Sequence, residues 1–262
     1  MSKQEKTTEE KPLIIDLVVP QGWHELTQKQ LRYVFTLIAA ELSTDELLIT
    51  CLFGWSGLKV VGKNPNRKYL IQKDRYLFEA TPEHIAELLP LIGWLGELPT
   101  APVRLERIGK ATAIAADFQG VPFETYICVD NLYQGFLQTQ NDALLDELAR
   151  ILYPKLGKHK LDDAERISVF YWLASLKAFF SNRFSDFLQP IAGASDGNLL
   201  GGSPNIGAQL QEAMDAQIRA LTKGDITKEK EILSLDTWRA LTELNAQAKE
   251  YKQINAQINA KK

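Results

Sequence analysis

The chain has 262 residues, 45% hydrophobic and 24% charged, enough to bury a sizeable core as one domain with an appendage or as two small domains. Thirty Lys and Arg against 33 Asp and Glu leave a net charge of −3, which excludes a whole-molecule electrostatic pull toward nucleic acid or an anionic membrane. No run approaches the ~20 apolar residues of a membrane span, and Met1–Lys11 lacks the apolar centre of a signal peptide, so a cytoplasmic location is expected.

Residues 1–12 are polar and mixed in charge, and are expected to be a disordered tail. A body over 13–190 then opens with Leu13–Val19, LIIDLVV, which reads as a short β-branched strand ended by Pro20 and Gly22. Thr27 with Gln30, and Ser43 with Glu46, have capping-box spacing and predict two short helices in series. From Leu58 the hydrophobic period changes to two, through LKVV, RKYLIQ and RYLFEA, which predicts a small antiparallel meander. Thr81-Pro82 starts a helix that Pro90 should kink or end. VRLERI and FETYICV read as further strands, and Asp130 and Asn141 as caps of the helices NLYQGFLQ and DALLDELARILY.

The element that organises the rest is Asp162–Leu188. It opens with Asp162 and Glu165 at capping-box spacing and runs without Gly or Pro. Phe170, Leu173, Leu176, Phe180, Phe184 and Phe187 recur at helical steps, so this aromatic helix should anchor the main core. Beyond it, 191–204 is a Gly-rich hinge by composition, and 205–262 reads as an αα-hairpin of Ile206–Leu221 and Thr227–Ala260. Two helices paired alone cannot bury both apolar faces, so the hairpin should dock on the body or on another subunit. Trp238, Leu241, Tyr251 and Ile254 are the expected docking face, with packing on the chain's own body as the competing reading for Trp238 and Leu241. The fold class expected is α+β and helix-dominated, with a small antiparallel sheet packed on helices and a C-terminal αα-hairpin.

Motifs for chemistry are weak. Gly57 to Lys63 matches GxxxxGK, but the intervening residues are strand-like and Asn64-Pro65 follows where Ser or Thr would bind Mg²⁺. His24, His84 and His159 occur singly, without metal-ligand spacing, and read as exposed or capping residues. Cys51 and Cys128 read as small buried hydrophobes, and Ser195 in GASDG as loop chemistry rather than a nucleophile. No catalytic, cofactor-binding or metal-binding residue is assigned. The cations of the Lys63–Arg75 hairpin, interleaved with Tyr69, offer the alternative of a nucleic-acid-associated factor. An enzyme of unfamiliar type would need a pocket gathering His84 or His159 with Cys51 or carboxylates.

The order FETYICVDNLYQGFLQTQNDALLDELARILYP, then ERISVFYWLASLKAFFSNRFSDFLQP, with the tail ALTKGDITKEKEILSLDTWRALTELNAQAKEY, resembles uncharacterised proteins encoded in phage and prophage structural clusters of Bacteroidetes. The resemblance covers roughly the second half of the chain and carries no invariant catalytic residues. It implies a non-enzymatic role in virion or tail assembly, as a structural component or assembly chaperone, in the host cytoplasm or on the virion. The partners it implies are other phage structural proteins, or self-association through the hairpin, with no membrane.

Overall fold

The computed structural model describes residues 15–66, 68–188 and 215–260. The expected tail, the Gly-rich hinge and the first part of the helix from Ile206 lie outside the described residues. The fold is α+β and helix-dominated. In chain order the helices are α1 (Gln28–Ala39), α2 (Thr44–Ser56), α3 (Pro82–Ala86), α4 (Phe123–Thr139), α5 (Asp142–Leu152) and α6 (Asp163–Arg183), then α7 (residues 215–222), α8 (Glu229–Leu233) and α9 (Thr237–Ala260). β1 (Lys59–Lys63), β2 (Tyr69–Lys73) and β3 (Tyr76–Ala80) form an antiparallel sheet in that order, and β4 (Arg107–Ile108) pairs with β5 (Ala111–Thr112).

Local chemistry sets most helix starts. Thr27 with Gln30, Ser43 with Glu46, and Asp162 with Glu165 each form the reciprocal capping box, and Asn141 caps α5 through the Ala143 amide. Gly57 ends α2 in the left-handed conformation that its missing Cβ permits, and β1 follows, so the GxxxxGK stretch is mostly strand. The helix opened by Pro82 ends at Ala86, ahead of Pro90, which sits in the first turn of a 3-10 stretch over Leu89–Gly96.

The core is divided. Val34, Cys51, Leu52 and Ile92 join α1, α2 and the 3-10 stretch, while Leu58, Ile71, Ala80 and Ile85 close the inner face of the sheet. Leu31, Phe35, Leu105 and Ala164 join this amino-terminal part to α6. The largest cluster surrounds α6: Phe118, Phe123, Tyr126, Leu148, Trp172 and Phe180 are fully or nearly fully buried. Trp172 also donates its indole N–H to the Ala116 carbonyl at 2.7 Å, so its one polar atom is satisfied.

Five local readings change. Residues 15–19, the described part of the expected first strand, form no ladder. FETYICV is helical because Phe123, Tyr126, Val129, Tyr133 and Phe136 recur every three to four residues and pack on α5 and α6; this burial overrides the strand-like composition. Asp130 consequently sits mid-helix, paired with Lys177 at 2.7 Å, instead of capping. Of VRLERI, only Arg107 and Ile108 are in a strand. The long helix expected from Thr227 is interrupted: a 3-10 turn and α8 precede a break at Ser234–Asp236, and α9 begins only at Thr237.

Candidate functional site

The break before α9 is a clasp. Leu235 accepts from the Phe123 amide at 2.8 Å, Thr237 donates to the Val121 carbonyl from both its backbone (2.9 Å) and its hydroxyl (2.7 Å), and Asp236 pairs with Pro122 as an isolated bridge. One Asp236 oxygen caps α9 through the Trp238 and Arg239 amides, and the other accepts from the Gly120 amide at 2.6 Å. A single carboxylate thereby starts α9 and ties it to the loop that leads into α4.

From the clasp, α9 runs along the body. Trp238 meets Phe179, Phe180 and Phe184 at ring separations of 5.8–6.1 Å and donates its indole N–H to the Asp117 carbonyl at 2.6 Å. Ala240 and Leu241 are 0% exposed and Leu244 3%. Asn245 then accepts from the Asp186 and Phe187 amides at 2.9 and 3.1 Å, closing the turn after α6, and Lys252 reaches Asp186 at 3.1 Å. The helix continues to Ala260 with its side chains largely in solvent.

At 100° per residue, Ala240, Leu244, Tyr251, Ile254 and Ile258 share one face of α9. Its first half seals the core; Tyr251, Ile254 and Ile258 stand 67%, 56% and 50% exposed. The four residues expected to meet a partner therefore divide. Trp238 and Leu241 pack on the protein's own body, whereas Tyr251 and Ile254 are exposed. Ile258, absent from that set, belongs with the second pair, and the three-and-four spacing of the stripe was the signal for it.

Among the described residues, titratable groups also converge at the start of α6. Glu165, 3% exposed, accepts from Arg32 Nη1 at 3.2 Å and from the Asp162 amide at 3.0 Å, and meets His159 Nε2 at 2.9 Å. Asp162 also binds Arg32. Both Glu165 oxygens are engaged and the carboxylate is shut away from solvent, so the arrangement latches α1 to the start of α6. His84 caps α3 from its third position, and His24 is exposed. Cys51 is fully buried, and burial pushes its thiol up to about 12. Cys128, expected to be buried, is exposed instead, because the helical course of α4 turns it outward between Ile127 and Val129. Among the described residues no group of three or more His, Cys, Asp or Glu is placed to hold a metal ion, and no helix is long and apolar enough to cross a membrane.

The basic hairpin is internally engaged. Lys63 lies 5.1 Å from the centre of the Tyr69 ring and Arg75 5.1 Å from that of Tyr76, while Lys68 pairs with Glu79 at 3.4 Å and Lys73 donates to the Ser56 carbonyl at 2.6 Å. These partners hold the described cations against the fold itself. The chain matches no known protein family, no curated protein and no solved structure.

Proposed function

We propose that the protein is a non-enzymatic structural or assembly component acting by protein–protein contact, with the distal face of α9 as its gripping surface. One observation carries the reading. The stripe that seals the core through Ala240 and Leu244 runs on through Ala248 into the exposed Tyr251, Ile254 and Ile258. A helix end intended only for solvent gains nothing from a large apolar side chain at every three to four residues, whereas a helix that lies in another protein's groove needs that spacing. The resemblance to phage and prophage structural proteins supplies the setting: virion or tail assembly, with other particle proteins as partners.

The test is a chain ending at Ala248. It should keep the melting temperature of the full chain within about 2 °C, since surface changes away from the core move stability little. It should also fail to enter particles or tails in producing cells. Unchanged incorporation of the shortened chain would overturn the reading.

A further inference from the structure

An open groove of about 590 Å³ lies where the carboxyl ends of α1 and α4 meet the amino ends of α5 and α6. Ile38, Phe136, Leu137, Leu145 and Phe170 supply its apolar lining. Its rim is acidic: Glu41, Asp142 and Asp163 line it, and Asp146 and Asp163 bind the guanidinium of Arg166 at 2.9 and 3.0 Å. Four carboxylates against this one cation leave a local excess of negative charge. The hydrogen bond to Asp146, with the charges of Asp142 and Asp163 beside it, raises the Arg166 pKa. The distal part of α9 has the complementary character. Tyr251, Ile254 and Ile258 are its large apolar residues, and Lys249 and Lys252, the latter against Asp186, stand with Glu250, with Lys261 and Lys262 following in the sequence, so residues 249–262 are net positive.

Groove and helix sit at opposite ends of α6, whose 21 residues span about 30 Å. α9 is held beside the far end of α6 by Asn245 and Lys252, and the eight residues beyond Lys252 reach only about 12 Å further. The helix therefore cannot enter the groove of its own chain.

Resting on the contact reading above, we propose that the partner is a second copy of this chain: the distal end of α9 lays Tyr251, Ile254 and Ile258 into the α1–α4–α5–α6 groove of the next molecule, whose acidic rim attracts the net positive charge of that segment of the sequence. A contact between two different surfaces of one protein repeats head to tail, closing as a ring or running on as a filament. Three helical turns bury an area at the small end of specific interfaces, so the contact is weak, on the order of 10–100 μM, and its charge complementarity makes it salt-sensitive.

The experiment is sedimentation equilibrium of the full chain with two complementary variants. Ile254→Asp with Ile258→Asp disables the helix and leaves the groove; Leu137→Arg disables the groove and leaves the helix. Glu41→Lys with Asp142→Lys attacks the exposed rim, and serves if Leu137→Arg unfolds. The wild type should grow past a dimer with concentration, and weaken at least tenfold between about 50 and 500 mM salt. Each variant alone should be a monomer, and an equal mixture of helix and groove variants should form a heterodimer that grows no further. A monomeric wild type, groove variants that associate like the wild type, or a mixture that stays monomeric would overturn the proposal. If the wild type is monomeric while the chain ending at Ala248 still fails to enter particles, this inference falls and the contact reading stands. If the chain associates with itself as described but enters no particle, the pairing of helix and groove stands and the particle setting falls.

Discussion

Leu244 and Tyr251 lie seven residues apart on one face of α9, about 10 Å along its axis, and the first is 3% exposed while the second is 67% exposed. The same stripe thus changes from core to surface within two turns. Trp238→Ala should accordingly cost about 3 kcal/mol, because it empties the ring cluster of Phe179, Phe180 and Phe184 and orphans the Asp117 carbonyl. Tyr251→Ala should change stability by no more than about 0.5 kcal/mol. Urea unfolding of both variants measures the contrast, and equal costs would show that the helix is not divided in this way.

Asp236 makes a narrower prediction. Asp236→Ala removes the α9 cap and the acceptor for Gly120, and should cost about 2 kcal/mol. Asp236→Asn keeps one amide acceptor for the cap but can turn an N–H toward the Gly120 amide, so it should recover only part of the loss. Thermal unfolding of the two variants reads the order; an Asn variant worse than the Ala variant would contradict the assigned geometry.

How much of this was legible in the sequence follows from what is local. Capping boxes at Thr27, Ser43 and Asp162 are readable because both partners lie within four residues, and β1–β3 announce themselves by alternation. FETYICV misleads because its aromatic and β-branched composition suits a strand, and only its burial between helices favours the helical period. The clasp at Asp236 and the Glu165–Arg32 latch were not readable, since their partners lie 116 and 133 residues away. The contact face was half legible: spacing marked the stripe of α9, but where the body ends beneath it depends on the reach of α6.

Arg32→Met should separate α1 from α6 without emptying the core. It removes the charge partner of the buried Glu165 and leaves that carboxylate with His159 and the Asp162 amide, at a cost of about 2–4 kcal/mol. Adding Glu165→Gln should restore part of the loss by removing the unbalanced charge. Denaturant unfolding of the single and double variants gives the coupling, and strict additivity would mean the pair does not interact.

The two thiols should differ in solution. Native protein treated with a thiol reagent should label at Cys128 and not at Cys51, and unfolded protein at both. Cys51 also ties stability to alkaline pH: its folded value near 12 lies above its usual 9, so the folded state keeps a proton that the unfolded chain releases. Its contribution is therefore complete below pH 9 and falls by about 1.4 kcal/mol per pH unit as pH rises toward 12. Tyr126, Tyr133 and Tyr153, likewise raised by burial, add to the decline above pH 10. Cys51→Ala should flatten the first part of that decline in urea titrations at successive pH values.

Hydrogen exchange along α9 tests the central claim most directly, measured by mass spectrometry on dilute protein and on the same protein in its assembled state. Amides of residues 237–245 should be protected in both, and those of 249–260 should exchange rapidly when dilute and become protected on assembly. Protection of 249–260 in the dilute chain, or no change there on assembly, would contradict the account.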